Sequence, residues 1–177
     1  VTYNAAAVTI RTNFTVIASV MVARGEADAL ITGPSGLYSS HLRVIQNVLG
    51  LQEGVSSAYG MQVLILPSGQ YFILDTQVHH HPSADQIAEM CRLAAAEVRR
   101  FGIEPRVAFV SHSNYGNSDA PSAIRMREAM AQVRVMEPGL MMDGEMHADI
   151  ALSEAGRRRA MPDSPLEGQA NLLIMPS

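Results

Sequence analysis

The stretch from Val107 to Met136 constrains the fold most, because it changes character twice. Val107 to Val110 is a short apolar, β-branched run that suits a buried strand, and from Ser122 onward Met126, Met130 and Val133 recur at helical spacing. Between them lie small polar residues, Val110-Ser111-His112-Ser113-Asn114-Tyr115-Gly116-Asn117-Ser118-Asp119-Ala120-Pro121. The same order of apolar run, polar turn and helix recurs earlier. Asp28 to Thr32 reads as a buried strand, Gly33-Pro34-Ser35-Gly36 breaks it, and a helix from Ser39 or Ser40 carries Leu42, Ile45, Val48 and Leu49 inward until Gly50 closes it. Strands that alternate with helices are joined by crossovers, so the pattern predicts an α/β fold: three-layer α/β/α with a largely parallel sheet. Ligands of such sheets sit outside the carboxyl ends of the strands. The turns after Thr32, Val110 and Met142 are therefore expected to face one cleft.

A polar turn between a strand and a helix has two readings. Its backbone N–H groups, its hydroxyls and the positive end of the helix dipole suit a phosphate or carboxylate. The same Ser/Asn-rich composition also serves to turn the chain and cap the helix, with Asp119 or Ser122 as the cap and Pro121 in the first turn.

Elsewhere the signals are local. The first ten residues read as the helical or frayed end of a longer element, and a helix from Asn13 is expected to place Phe14, Ile17, Val20 and Met21 on its inner face and to stop at Gly25. Val55 to Leu66 and Tyr71 to Thr76 are two β-rich runs joined by Pro67-Ser68-Gly69-Gln70, which predicts an antiparallel hairpin beside the parallel strands. His79-His80-His81 cannot all point to one side of an extended chain, so they read as a solvated loop and no metal site is assigned. Ser83 and Gln86 form a capping-box pattern ahead of the stripe Ile87, Met90, Cys91, Ala94, Val98 and Phe101, which ends at Gly102. Leu140 to Asp143 reads as a short strand. The acidic run that follows, Asp143-Gly144-Glu145-Met146-His147-Ala148-Asp149, serves either acid–base or cation chemistry or simply the turn into a helix over 150–160. Arg157-Arg158-Arg159 reads as a solvated last turn, and Asn171 to Met175 as a final strand.

Composition excludes several classes. With 47% hydrophobic and 17% charged residues the chain is globular in character, and a net charge of -4 without a basic stripe argues against nucleic acid. All 13 basic residues are Arg, so neither a Schiff-base lysine nor a Walker lysine exists. The single cysteine, Cys91, falls in an apolar stripe and reads as buried and inert. No apolar run is long enough to span a bilayer, no nicotinamide GxGxxG fingerprint occurs, and cytoplasmic residence is the expectation.

Five blocks belong together: Gly25-Glu26-Ala27-Asp28-Ala29 leading to His41-Leu42-Arg43; Asp75-Thr76 with Pro82 to Glu89; Phe101-Gly102-Ile103-Glu104-Pro105-Arg106-Val107-Ala108 with Ser111 to Asp119; Asp143-Gly144-Glu145-Met146; and Ala170 to Pro176. With them the chain resembles the phosphate acetyl/butyryltransferase family, in the version fused to the C-terminus of bacterial NADP-dependent malic enzymes. The resemblance implies an isocitrate/isopropylmalate dehydrogenase-like α/β/α fold. It also implies a remnant of a first subdomain over residues 1–32 and a second subdomain over 33–177, truncated before the family's C-terminal segment. In the family the CoA thiol attacks an acyl phosphate held by arginines. Arg43 matches the family's leucine-arginine position, and Ser35, Ser111, Ser113, Asn114, Gly116 and Ser118 are the expected ligand-binding residues. His112 and Asn114 depart from the serine-phenylalanine-serine-threonine form of the stand-alone transferases, which points away from acyl transfer. Asp143, Glu145 and His147 remain as acid–base candidates, with Asp143 and Glu145 foremost. The implied ligand is acetyl-CoA or another acyl-CoA, or phosphate. No cofactor is implied in this chain, NADP and a divalent metal belonging to an upstream malic-enzyme domain, and a homo-oligomer is the implied assembly.

Overall fold

The computed structural model describes residues 2–176, and the chain falls into two compact units that meet between Ala58 and Tyr59.

The first unit is helical, with α1 (Tyr3–Thr12), α2 (Phe14–Ala23) and α3 (Tyr38–Leu49). Asn13 caps α2 through its side chain, which accepts from the Val16 amide. Gly25, at φ 71, closes it: the Gly25 amide donates to the Val22 carbonyl and the Glu26 amide to the Met21 carbonyl. Two expectations fail here. Among the described residues the 28–32 segment forms no strand and pairs with no other strand, and Ile31 is fully exposed. The buried residues of α2 are Thr15 and Ser19, while Phe14 and Met21 face outward. On α3, Leu42, Ile45 and Val48 are half-buried and Leu49 is exposed. No single helix among the described residues is long and apolar enough to cross a membrane.

The second unit contains a five-stranded sheet in the order β1-β2-β5-β3-β4: β1 (Gln62–Leu66), β2 (Gly69–Leu74), β3 (Arg106–Val110), β4 (Met141–Met146) and β5 (Leu172–Ile174). The β1–β2 pair is the expected antiparallel hairpin, shortened to a Pro67-Ser68 turn because Leu66 already pairs with Gly69. The β2–β5, β5–β3 and β3–β4 pairs are parallel. α4 (Ala84–Arg100) begins at the complete Ser83/Gln86 capping box and buries Ile87, Met90, Cys91, Ala94 and Val98, whereas Phe101 caps the end and is exposed. α5 (Pro121–Met136) buries Ala123, Met126, Ala129 and Val133. Neither Asp119 nor Ser122 caps it; the N-cap is Ala120, with Pro121 in the first turn. These two helices share one apolar core with Phe72, Phe109, Met142, Leu172 and Ile174 of the sheet. The opposite face packs Ala108, Val110, Met146 and Leu173 against Ala151, Leu166 and Ala170. The unit is thus three layers deep, as the alternation of elements required.

That second face holds two departures from the sequence reading. The predicted 150–160 helix is two short ones, α6 (Ala148–Ala151) and α7 (Glu154–Ala160), the second capped by the Ser153 side chain. Arg157 is not a solvated end of helix but wholly buried. Its guanidinium donates to the carbonyls of Ile150, Ala151, Leu166 and Gly168, which ties the irregular 161–170 segment to the helices.

Candidate functional site

Asp143-Gly144-Glu145-Met146 lies inside β4, not at a strand-to-helix turn as its composition suggested. The pairing of β3 with β4 slips at this point: Phe109 pairs with Gly144, but Val110 pairs with Met146. Glu145 is therefore the extra residue of a bulge, and a bulge re-aims the side chain it carries. Gly144 is required for the close approach. At φ 142 it has the backbone at Phe109 so near that an added Cβ would lie 2.7 Å from the Phe109 carbonyl oxygen.

The loop after β3 closes over Glu145. Its Ser111 amide donates to the Met146 carbonyl and its Tyr115 amide to the Glu145 carbonyl, so the loop is laced to the end of β4. The Ser113 hydroxyl donates to Glu145 Oε1 at 2.5 Å, and the Gly116 amide to the same oxygen at 3.0 Å. From α5, Arg127 Nη1 donates to Oε1 at 3.0 Å and to the Ser118 carbonyl at 3.0 Å. Glu145 is wholly buried, and among the described residues its Oε2 has no partner. Burial alone would raise its pKa, but the hydrogen bonds from Ser113, Gly116 and Arg127 outweigh it and hold the carboxyl below its ordinary value. The group is ionised at neutral pH.

Asp143 is engaged separately. Tyr115, in the left-handed region at φ 49, turns its ring back over β4 so that its hydroxyl donates to Asp143 Oδ2 at 2.9 Å, and the Ser164 hydroxyl donates to the same oxygen. Burial, and then the bond to Asp143, push the Tyr115 phenol up. Beside this pair opens a recess of about 440 Å³, lined by Tyr115, Asp143, Ser164, Met142 and Arg134.

The expected site residues fall into two groups. Ser111, Ser113, Asn114, Gly116 and Ser118 gather around Glu145 in the second unit. Ser113 is fully buried and Ser111 nearly so. Asn114 Oδ1 accepts from the His147 amide at 2.8 Å, and Ser118 Oγ accepts from the Ala120 amide at 3.3 Å. His147 Nε2 lies 2.9 Å from the His112 carbonyl, so His147 also holds the loop. Ser35 and Arg43 belong to the first unit, with Arg43 exposed on α3. The polar loop there is tied by a residue that the spacing did not single out, His41. Its Nε2 bonds to the Ser35 carbonyl at 2.8 Å and its Nδ1 lies 2.8 Å from the Thr15 hydroxyl. A recess of about 320 Å³ opens beside it, between Thr32, Gly36, Tyr38 and Ile45.

Two further residues have roles that the sequence did not indicate. Arg127 adjoins the buried stripe of α5 at Met126, a position that signals only a helix edge. Asp75 is buried and accepts from the amides of Gly60, Gln77, Val78 and His79 and from the His79 ring at 2.7 Å, organising the turn after β2. Burial raises its pKa, these bonds outweigh that effect, and the net position is below the ordinary one. Among the described residues no group of three or more His, Cys, Asp or Glu side chains is placed to hold a metal ion.

A parallel sheet with one antiparallel hairpin, helices on both faces and a polar loop folded over the end of an inner strand define a three-layer α/β domain with a built loop site. Residues 1–177 match the family described as phosphate acetyl/butaryl transferase, and the chain belongs to that family. It is 55% identical over 165 residues to an NADP-dependent malic enzyme of Escherichia coli (strain K12), matching 93% of this chain and 22% of that protein. It is 34% identical over 166 residues to a phosphate acetyltransferase of Paracoccus denitrificans, matching 90% of this chain and 52% of that protein. A crystal structure of a phosphotransacetylase from Streptococcus pyogenes superposes with a TM-score of 0.82 at 27% identity, covering 92% of this chain and 50% of that one. The chain therefore spans about a fifth of the malic enzyme and about half of each transferase.

Proposed function

We propose that this chain is the phosphotransacetylase-like domain of an NADP-dependent malic enzyme, and that it binds acetyl-CoA or a related acyl-CoA as a regulatory and oligomerising module without efficient acyl transfer. One observation carries the reading. One oxygen of each carboxylate that acid–base chemistry would need is already bonded from within: Asp143 Oδ2 takes Tyr115 and Ser164, and Glu145 Oε1 takes Ser113, Gly116 and Arg127. A general base must be able to move onto its proton, and these bonds commit both side chains to holding the loop and the 161–170 segment instead. Malate oxidation, with its NADP and divalent metal, would belong to an upstream domain. The acyl-CoA would act by favouring one assembly state, since coupling requires differential affinity.

Calorimetric titration of acetyl-CoA into the full-length protein tests binding, and a coupled acetyl phosphate plus CoA assay tests transfer. Heat of binding with no thioester formed is the expected result; turnover at transferase rates would sink the regulatory reading. That outcome would favour a working phosphate acyltransferase, the reading supported by the 34% identity to the Paracoccus denitrificans enzyme. Arg43→Ala is expected to weaken acyl-CoA binding roughly tenfold or more with the fold intact, the scale of one hydrogen bond to a charged group. Unchanged affinity would remove Arg43 from the site.

A further inference from the structure

We infer that Glu145 is the resident anion of the loop after β3: its carboxylate fills the position in which that loop would otherwise hold a small oxyanion such as phosphate, and so it sets what the site refuses. The donors that surround it are of the kinds an anion site uses, namely a backbone amide at a glycine, a serine hydroxyl and a guanidinium. All three converge on one oxygen, at 3.0 Å from Gly116, 2.5 Å from Ser113 and 3.0 Å from Arg127. The acceptor comes from the neighbouring strand, delivered by a bulge and by Gly144, whose conformation and close contact with Phe109 leave no room for a side chain. The donors come from the loop and from α5, so this is a site with its occupant built in.

Its charge state agrees with the geometry, since the hydrogen bonds hold the carboxyl below its ordinary value despite burial. The second oxygen, Oε2, is buried and has no partner among the described residues, so the carboxylate is not placed to satisfy both oxygens. Its position is what the three donors require. A phosphate entering the loop would meet an ionised carboxylate in a water-poor setting with the donors already taken. The inference extends the non-transferring part of the proposed function, but its test uses no acyl-CoA, so the two can fail separately.

The test is anion rescue in the full-length protein, read by hydrogen–deuterium exchange over peptides covering 111–118. In the unsubstituted protein, millimolar phosphate or formate should leave exchange unchanged relative to chloride at matched ionic strength. Glu145→Ala should speed exchange in this loop at least tenfold, and phosphate or formate, but not chloride, should restore a threefold or greater share of the protection. Adding Arg127→Gln to Glu145→Ala should abolish the rescue. Exchange in Glu145→Ala that no oxyanion slows beyond the chloride control would overturn the inference. So would phosphate protection of the same loop in the unsubstituted protein. Should Glu145→Ala fail to fold, Glu145→Gln keeps the shape without the charge, and it should exchange faster than the parent and show no rescue. A loop in Glu145→Gln as protected as the parent's would equally overturn it.

Discussion

Replacing Arg157 by methionine removes a buried side chain that joins α6, α7 and the irregular 161–170 segment. The magnitude follows from the four bonds. Nη2 reaches the Leu166 carbonyl at 2.7 Å and the Gly168 carbonyl closer still, and each charge-assisted bond is worth about 1.5–3 kcal/mol. Nη1 reaches the Ala151 and Ile150 carbonyls at 3.2 and 3.4 Å, at or beyond the useful range, and adds little. Against the first pair stands a cost already carried by the native protein. Nε is buried without a partner among the described residues, a penalty of about 1–3 kcal/mol that methionine lifts. Methionine is also unbranched and flexible enough to refill most of the volume. The net expectation is a loss of about 2–4 kcal/mol, or about 8–16 °C in melting temperature for a domain of this size. Urea unfolding followed by circular dichroism reads it, with limited proteolysis expected to cut first within 161–170. Arg157→Lys keeps the charge but cannot fork onto two carbonyls, so it should lose about half as much. A loss below about 1 kcal/mol for Arg157→Met would refute the claim that these bonds hold the second face together.

Three other expectations concern Gly144, the buried carboxylates and Cys91. Gly144→Ala should destabilise by about 2 kcal/mol or more, since the new Cβ meets the Phe109 backbone at a φ that side chains rarely adopt; an unchanged denaturation midpoint would refute it. Asp75 and Glu145 both have folded-state values below their ordinary 3.8 and 4.5, so the stability they confer is fully present above about pH 4.5 and is lost as the pH falls through the depressed values. Melting temperature should therefore drop from pH 5 to pH 3, and Asp75→Asn should flatten that slope; a flat profile in the parent would contradict the assignment. Cys91 is wholly buried, and burial, reinforced by the Glu137 charge, pushes its thiol far above the usual range. A thiol reagent should label it only at the rate of unfolding, whereas rapid labelling of native protein would exclude the packing described for α4.

Where local chemistry is self-sufficient, the sequence is a reliable guide. The Ser83/Gln86 box and the Ile87-to-Val98 stripe carry their own cap and their own period, and α4 forms over them. The hairpin announces itself by Pro67-Ser68 between two β-rich runs, and the loop from Ser111 to Ser118 by its abrupt polarity between strand and helix. Asp143 and Glu145 were legible as chemically interesting residues, although their roles were not. Reading failed where a residue's environment is made by chain outside its own helix. Thr15 and Ser19 are buried while Phe14 is exposed, an arrangement that no hydropathy period encodes. Arg157 looks like any charged helix end until carbonyls from Leu166 and Gly168 converge on it.

By itself, then, the sequence determined the alternating α/β plan, the family and the polar loop, because periodicity, caps and motif blocks act over a few residues. Tertiary structure alone decided that the loop's donors belong to Glu145. That pairing needs a register slip between β3 and β4, a glycine pressed against Phe109 and an arginine reaching in from α5. Each is a contact between elements far apart in the chain, and no local propensity carries a record of it.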